Sequence, residues 1–250
     1  MKKVMNHKGK LIVLIACIVL TTILLVGCGS SAQEHLNKGN AYCDQGEFDE
    51  AIEEFTEAIE LDPELAVAYS NRGLAYYAIG EYDKAMADYN KAIELDPELA
   101  TAYGNRGLAY YEKGEYDKAI PYFNKTIELD PQCALPYNNR GLAYYAIGEY
   151  DKAMADYDKA IELDPAYAKA YYHRGWAYCA IGEYDKAIAD FNKAIELDPE
   201  LDVAYVGRGF AYMQLGEKEK AISDFEKCIE VSKDPALIQQ ARDILDGLRE

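Results

Sequence analysis

Carboxylates are the most abundant side chains in this sequence that could perform chemistry, because two of them at one site can serve as general acid and general base. Their closely spaced pairs recur at multiples of 34 residues, so no pair is unique. We interpret them as solvated charges near helix ends, and the repetition argues against an enzyme. Examples are Glu60/Asp62, Glu94/Asp96 and Glu162/Asp164.

Histidine and cysteine, the other residue types that could hold a metal or attack a substrate, are sparse. Neither His35 nor His173 has a second ligand at a useful spacing. We therefore predict no metal and no other cofactor. The four cysteines beyond Cys28 are scattered through the repeats, and we expect them to be small buried hydrophobes rather than disulfides; they are Cys43, Cys133, Cys179 and Cys228.

The charge balance narrows the classes of partner. The 250 residues include 44 acidic and 26 basic side chains, a formal net charge of −18. A chain this acidic repels phosphate backbones, so we predict no nucleic-acid binding.

The first residues form an export signal. Lys2, Lys3, Lys8 and Lys10 precede an apolar stretch over 11–26, which is short for a membrane-spanning helix. The ending Leu-Val-Gly-Cys28 resembles the lipobox of bacterial lipoproteins. The resemblance implies a signal peptide over 1–27, lipidation of Cys28 and a tether over 28–31. The alternative is an uncleaved signal anchor, and both readings place the rest of the chain outside the cytoplasm.

The remainder of the chain is one unit repeated. Prolines recur every 34 residues, and two series of glycines keep the same register; the prolines are at positions 63, 97, 131, 165 and 199. Segments 68–97 and 136–165 differ at only three positions. A fixed period of this length indicates a repeat array in which each unit needs its neighbours to complete a core.

Each unit reads as a helical hairpin. Tyr69, Gly73 and Tyr76 have helical spacing, Gly80 ends the first helix, and a second apolar stripe follows. Pro97 then suits the first turn of the next helix. Small residues such as Gly73 let the two helices approach closely, and we expect the tyrosines of the second helix to fill the flanks.

This pattern resembles the tetratricopeptide repeat. The residues that carry the resemblance are Tyr69, Arg72, Gly73, Tyr76, Gly80, Tyr82, Ala85, Tyr89, Ala92 and Pro97. The resemblance implies an all-α fold, a right-handed α-solenoid of six helical hairpins. We predict repeats over 32–65, 66–99, 100–133, 134–167, 168–201 and 202–235, followed by an amphipathic capping helix over 236–250.

The resemblance also implies that the first helix of each hairpin lines a concave groove. Four positions on one face of these helices hold aromatic, aliphatic and amide side chains, with Lys169 their only charge. We predict a peptide-binding groove, with an anchor pocket around Trp176, Tyr172 and Phe210. The alternative is that the leucines at these positions pack within the stack. The candidate groove residues are Asn71, Tyr77, Asn105, Tyr111, Asn138, Asn139, Tyr145, Tyr172, Trp176 and Phe210.

Two further expectations concern basic residues. Some members of this family grip a C-terminal carboxylate with lysine and asparagine at repeat positions 5 and 9. Position 5 is never lysine here, so we predict no such clamp. An arginine precedes the first glycine in repeats two to six. We expect a structural ladder with Asp88, Asp156 and Asp190, the alternative being arginines that face a partner.

The sequence therefore favours a non-enzymatic scaffold. We expect a membrane-anchored protein that binds a partner protein or peptide in its groove, and resemblance to repeat lipoproteins suggests a role in cell-envelope assembly. The alternative is a structural spacer that self-associates without a peptide ligand.

Overall fold

The computed structural model describes residues 31–249, so the predicted signal peptide over 1–27 and the lipidation site Cys28 lie outside the described residues. Residues 31–249 form thirteen α-helices and no strand, in consecutive hairpins followed by a C-terminal helix. The predicted all-α fold of stacked hairpins is confirmed. The predicted tether over 28–31 overlaps the first helix, which already includes residue 31.

The described residues divide into two compact units, with the boundary after residue 109. The described part of the first unit contains α1 (residues 31–45), α2 (Phe48–Leu61), α3 (Ala66–Ala78), α4 (Tyr82–Leu95) and most of α5 (Ala100–Glu112). The second contains the end of α5 and α6 (Tyr116–Leu129), α7 (Ala134–Ala146), α8 (Tyr150–Leu163), α9 (Ala168–Ala180), α10 (Tyr184–Leu197), α11 (Asp202–Gln214), α12 (Lys218–Val231) and α13 (Pro235–Arg249).

Glycine makes the turn inside each hairpin. Gly80 has φ +82°, a left-handed conformation that glycine adopts without steric cost. Its amide donates to Tyr77 O at 3.0 Å, and the Glu81 amide donates to Tyr76 O at 2.9 Å. These two bonds form a Schellman motif, which satisfies carbonyls at the helix end and reverses the chain.

The second series of glycines brings the two helices of a hairpin together. A Cβ added to Gly73 would lie 2.6 Å from Tyr89 Cε1, and one added to Gly141 would lie 2.6 Å from Tyr157 Cε1. The predicted close approach is therefore confirmed, but the expectation that Tyr89 fills a flank is wrong. Its side chain is fully buried at the point of closest contact, since the glycine leaves room for a ring there.

Arginines join successive hairpins. Arg72 donates through Nε and Nη2 to both carboxylate oxygens of Asp88 in its own hairpin, each at 2.8 Å. Its Nη1 donates to Thr56 Oγ1 of the preceding hairpin at 3.1 Å. The same arrangement recurs at Arg140, Arg174 and Arg208, which confirms the predicted ladder at these positions. In repeat three the residue sixteen positions after Arg106 is Tyr122 instead of aspartate.

In the second unit, the first helices of consecutive repeats also contact one another, because α9 packs against both α7 and α11. The array ends with α13, whose predicted apolar stripe packs on α12. Ala241 and Leu245 are buried against Phe225 and Cys228. The C-terminal helix thus covers apolar surface that the last hairpin would otherwise expose.

Candidate functional site

Three of the predicted groove residues lie in the first unit. Asn71 Nδ2 donates to Asn40 Oδ1 at 2.8 Å, so this amide already has a partner in the preceding hairpin. The ring of Tyr77 meets Tyr82 edge-on, with centroids 5.6 Å apart, and Asn105 is partly exposed on α5. Leu74 is 41% exposed, so this leucine does not pack within the stack as the alternative reading had it.

In the second unit, four predicted groove residues converge on one pocket. The pocket has a volume of about 270 Å³ and receives side chains from α5, α7, α8 and α9. Tyr111, Tyr145, Tyr172 and Trp176 were predicted as groove residues, and Leu142, Tyr157 and His173 complete the lining. The site is therefore a mainly aromatic pocket built by three successive repeats.

The aromatic walls of this pocket are held by further rings. Tyr145 packs against Tyr150 with centroids 5.4 Å apart, and Trp176 lies 5.4 Å from Phe210 and 6.0 Å from Phe191. Phe210 was predicted to form the anchor pocket with Trp176. It supports the indole ring but does not line the pocket itself. These contacts limit the rotamers of the wall residues and so preform the site.

Asn138 and Asn139 lie inside the structure rather than on an open groove. Their exposed fractions are 2% and 8%, because they sit where α7 packs against α9. The His173 Nδ1 atom is 2.7 Å from Asn138 Oδ1, a pair 35 residues apart in the chain. Asn138 therefore positions His173, which lines the pocket. Direct contact of Asn138 or Asn139 with a peptide stays a prediction.

His173 is a neutral acceptor in this site. Burial lowers its pKa to about 4, and the charge of Lys169 adds to the shift. The ring is thus uncharged at neutral pH. Because an amide oxygen only accepts hydrogen bonds, Nδ1 carries the proton and Nε2 keeps its lone pair.

Tyr157 contributes a buried hydroxyl to the pocket. The residue is fully buried, and no group within residues 31–249 hydrogen-bonds to its hydroxyl. Burial, together with the nearby phenols of Tyr111 and Tyr145, raises its pKa. Sequence reasoning missed this residue as part of the site. A signal existed, because the equivalent position is Tyr in repeats two and four but phenylalanine elsewhere, at Phe55, Phe123, Phe191 and Phe225.

Other chemistry-bearing side chains give no second site. Within residues 31–249, no group of three or more His, Cys, Asp or Glu side chains could hold a metal ion. Cys179 and Cys228 are buried as predicted, and burial raises the pKa of both thiols to about 11, whereas Cys43 and Cys133 are partly exposed. Among the described helices, none combines the length and apolarity needed to cross a membrane.

Comparison with known proteins places this architecture in a family. A tetratricopeptide repeat model matches residues 100–133, 134–167, 168–201 and 203–235, and a second TPR repeat model matches 39–80 and 73–114. The chain belongs to the tetratricopeptide repeat family. Proteins with this fold serve as scaffolds for protein–protein interaction. No curated protein matches the chain.

Several solved structures are similar. A tetratricopeptide repeat protein from Parabacteroides merdae is 25% identical, with a TM-score of 0.71 and 88% of each chain covered. MamA is 33% identical over 63% of this chain and 92% of its own, with a TM-score of 0.57. YrrB, described as a TPR protein with an unusual peptide-binding site, is 28% identical over 76% of this chain and 97% of its own, with a TM-score of 0.56.

Proposed function

We propose that this protein is a lipid-anchored scaffold that holds a partner protein or peptide on the face formed by the first helices of its repeats. The observation that carries the proposal is the aromatic pocket of the second unit, where Tyr111, Tyr145, Tyr172 and Trp176 converge. A preformed concave site of aromatic side chains is the kind of surface in which a protruding side chain of a partner is anchored. The peptide-binding site described for the similar protein YrrB supports this role.

The test is a crosslinked pull-down from membranes with the full chain. A Tyr172→Ala/Trp176→Ala variant removes two walls of the pocket and should lose the partner. The matched control is Ile147→Ala/Ile181→Ala, because these side chains are 38% and 44% exposed outside the pocket in the same unit. Equal partner recovery from all three proteins would overturn the assignment of the pocket as the binding site.

The anchor belongs to the same proposal. Cleavage before Cys28 and lipidation of its sulfur would hold the repeats at the extracytoplasmic side of a bacterial membrane, since several acyl chains give stable anchoring. A Cys28→Ser variant should accumulate as a larger precursor and change its membrane retention. Unchanged size and retention would contradict lipidation. The proposed role in cell-envelope assembly depends on this extracytoplasmic location. Recovery of a cytoplasmic partner would argue against that role.

A further inference from the structure

Aromatic rings make up most of the lining of the pocket in the second unit. Five of its seven lining residues are Tyr or Trp, and none of the seven is charged at neutral pH. The face of an aromatic ring carries negative potential and attracts a cation held within about 6 Å. The protein already uses this contact in its framework, where the Arg140 guanidinium carbon lies 5.7 Å from the Tyr137 ring centroid.

Two lining residues, Tyr157 and His173, each have an atom that could accept a hydrogen bond from a ligand. The Tyr157 hydroxyl has no partner among residues 31–249, although its side chain is fully buried. His173 donates from Nδ1 to Asn138, so its Nε2 atom accepts. A buried polar group without a partner is costly, and a ligand with several N–H donors would satisfy these acceptors.

The net charge of the chain favours a cation over an anion as its ligand. The chain carries a formal charge of −18. Asp202 lies near enough to Tyr172 to contribute to the raised pKa of that phenol, which burial mainly causes. Lys169 is exposed, and its positive charge contributes to the lowered pKa of His173, so one positive charge lies near the pocket.

We propose that this pocket recognises an arginine side chain of the partner, with its guanidinium stacked on the ring faces and its N–H groups donating to Tyr157 Oη and His173 Nε2. The inference rests on the proposed scaffold function and names the partner chemistry of that site. Guanidinium suits the pocket because it is planar, weakly hydrated and rich in donors. The volume of about 270 Å³ exceeds the roughly 150 Å³ that accommodates a benzene ring, so the whole head group fits.

The test uses the single tryptophan of the chain, because Trp176 lines the pocket and its fluorescence reports occupancy directly. The full chain in detergent is titrated with Gly-Gly-Xaa-Gly-Gly peptides in which Xaa is arginine, citrulline, phenylalanine or glutamate. Citrulline preserves the shape of arginine without its charge. We expect the arginine peptide to bind at least tenfold more tightly than the others, and 0.5 M salt to weaken it.

Matched variants separate the pocket from general effects. Tyr157→Phe should weaken the arginine peptide about tenfold and still fold, since phenylalanine occupies this position in other repeats. Tyr89→Phe removes an equally buried, unpartnered hydroxyl in the first unit and should leave binding unchanged. Lys169→Gln should strengthen binding by removing a like charge near His173.

Tighter binding of phenylalanine, citrulline or glutamate, or no fluorescence response to any peptide, would overturn the arginine assignment. If the pull-down still depends on Tyr172 and Trp176 in that case, the scaffold function stands and only the partner chemistry fails. If the arginine peptide binds but partner recovery is unchanged by the Tyr172→Ala/Trp176→Ala substitutions, the arginine site stands and the pocket is not where the partner is held.

Discussion

Arg140 and Asp156 form a two-pronged ion pair within one hairpin, with Arg140 Nε 2.8 Å from Asp156 Oδ2 and Nη2 2.6 Å from Oδ1. The Asp156 side chain is 7% exposed, and the third donor, Nη1, reaches Asn124 in the preceding hairpin at 2.6 Å. One guanidinium therefore joins two helices of its own repeat to a third helix of the previous repeat. Four of the five repeats that carry this arginine share the scheme.

Arg140→Ala should be strongly destabilising because it leaves the Asp156 carboxylate buried without its partner. We expect the free energy of unfolding to fall by about 3 kcal/mol in chemical denaturation. An Arg140→Met/Asp156→Leu double variant, which removes both charges, should recover much of the loss. An Arg140→Ala variant with unchanged stability would contradict a structural role for the ladder.

Gly141→Ala should destabilise the fourth hairpin, because the new methyl group would lie 2.6 Å from Tyr157 Cε1 in a fully buried contact. We expect a loss of about 1–3 kcal/mol from overpacking. Gly247→Ala in α13 is the control, since its Cβ would meet nothing within 4 Å. That substitution should instead gain about 1 kcal/mol from helix propensity. Equal effects in thermal unfolding would show that packing at Gly141 does not matter.

Tyr157→Phe should stabilise the free protein while it weakens ligand binding. A buried hydroxyl without a partner lowers the free energy of unfolding by about 1–3 kcal/mol, so its removal should raise that free energy by a similar amount. Tyr89→Phe should give a similar gain, because its hydroxyl is buried in the same way. The measurement is the midpoint of chemical denaturation without ligand. A loss of stability in Tyr157→Phe would mean that its hydroxyl is satisfied in the free protein.

His173 should make stability depend on pH between its unfolded and folded pKa values. The pKa is about 6.5 in an unfolded chain and lowered to about 4 in the fold by burial. The unfolded state binds more protons in this window, so stability is present above pH 6.5 and is lost as the pH falls towards 4. The contribution is about 3 kcal/mol at most.

His173→Asn isolates that contribution, since asparagine is the residue at this repeat position in repeats one to four. The variant should show a shallower decline of stability between pH 6.5 and pH 4 than the parent chain. Carboxylates titrate in both proteins and cancel in the comparison. Parallel pH profiles would show that His173 does not titrate with a lowered pKa.

The hairpins could be predicted from the sequence because their signals are local and repeated. Gly80 and its equivalents mark each turn, and the constant spacing between Arg72 and Asp88 anticipates the ion pair. Asn138 could not be assigned in the same way. Helical spacing places it on the groove face, but its burial depends on His173, which belongs to the next repeat and packs through contact between α7 and α9.

The pocket was predicted only in part for the same reason. The spacing of Tyr111, Tyr145 and Trp176 identifies residues on one face, whereas Tyr157 reaches the pocket from a second helix that helical periodicity assigns to the core. Its hydroxyl gains significance only from its depth and lack of a partner, which are three-dimensional properties. In the sequence, the only indication of its role is that this repeat position holds tyrosine in two repeats and phenylalanine in the other four.

The hydrogen bonds of the repeat arginines also affect which changes in gene length leave a protein that can fold. Each of these arginines reaches sixteen residues forward and sixteen residues back. Insertion or loss of whole 34-residue blocks would reproduce the same bonds at the new junction, provided the arriving block keeps its aspartate. Unequal recombination between the near-identical segments 68–97 and 136–165 could thus yield a foldable product in a single event, with no compensating point mutations at the seam.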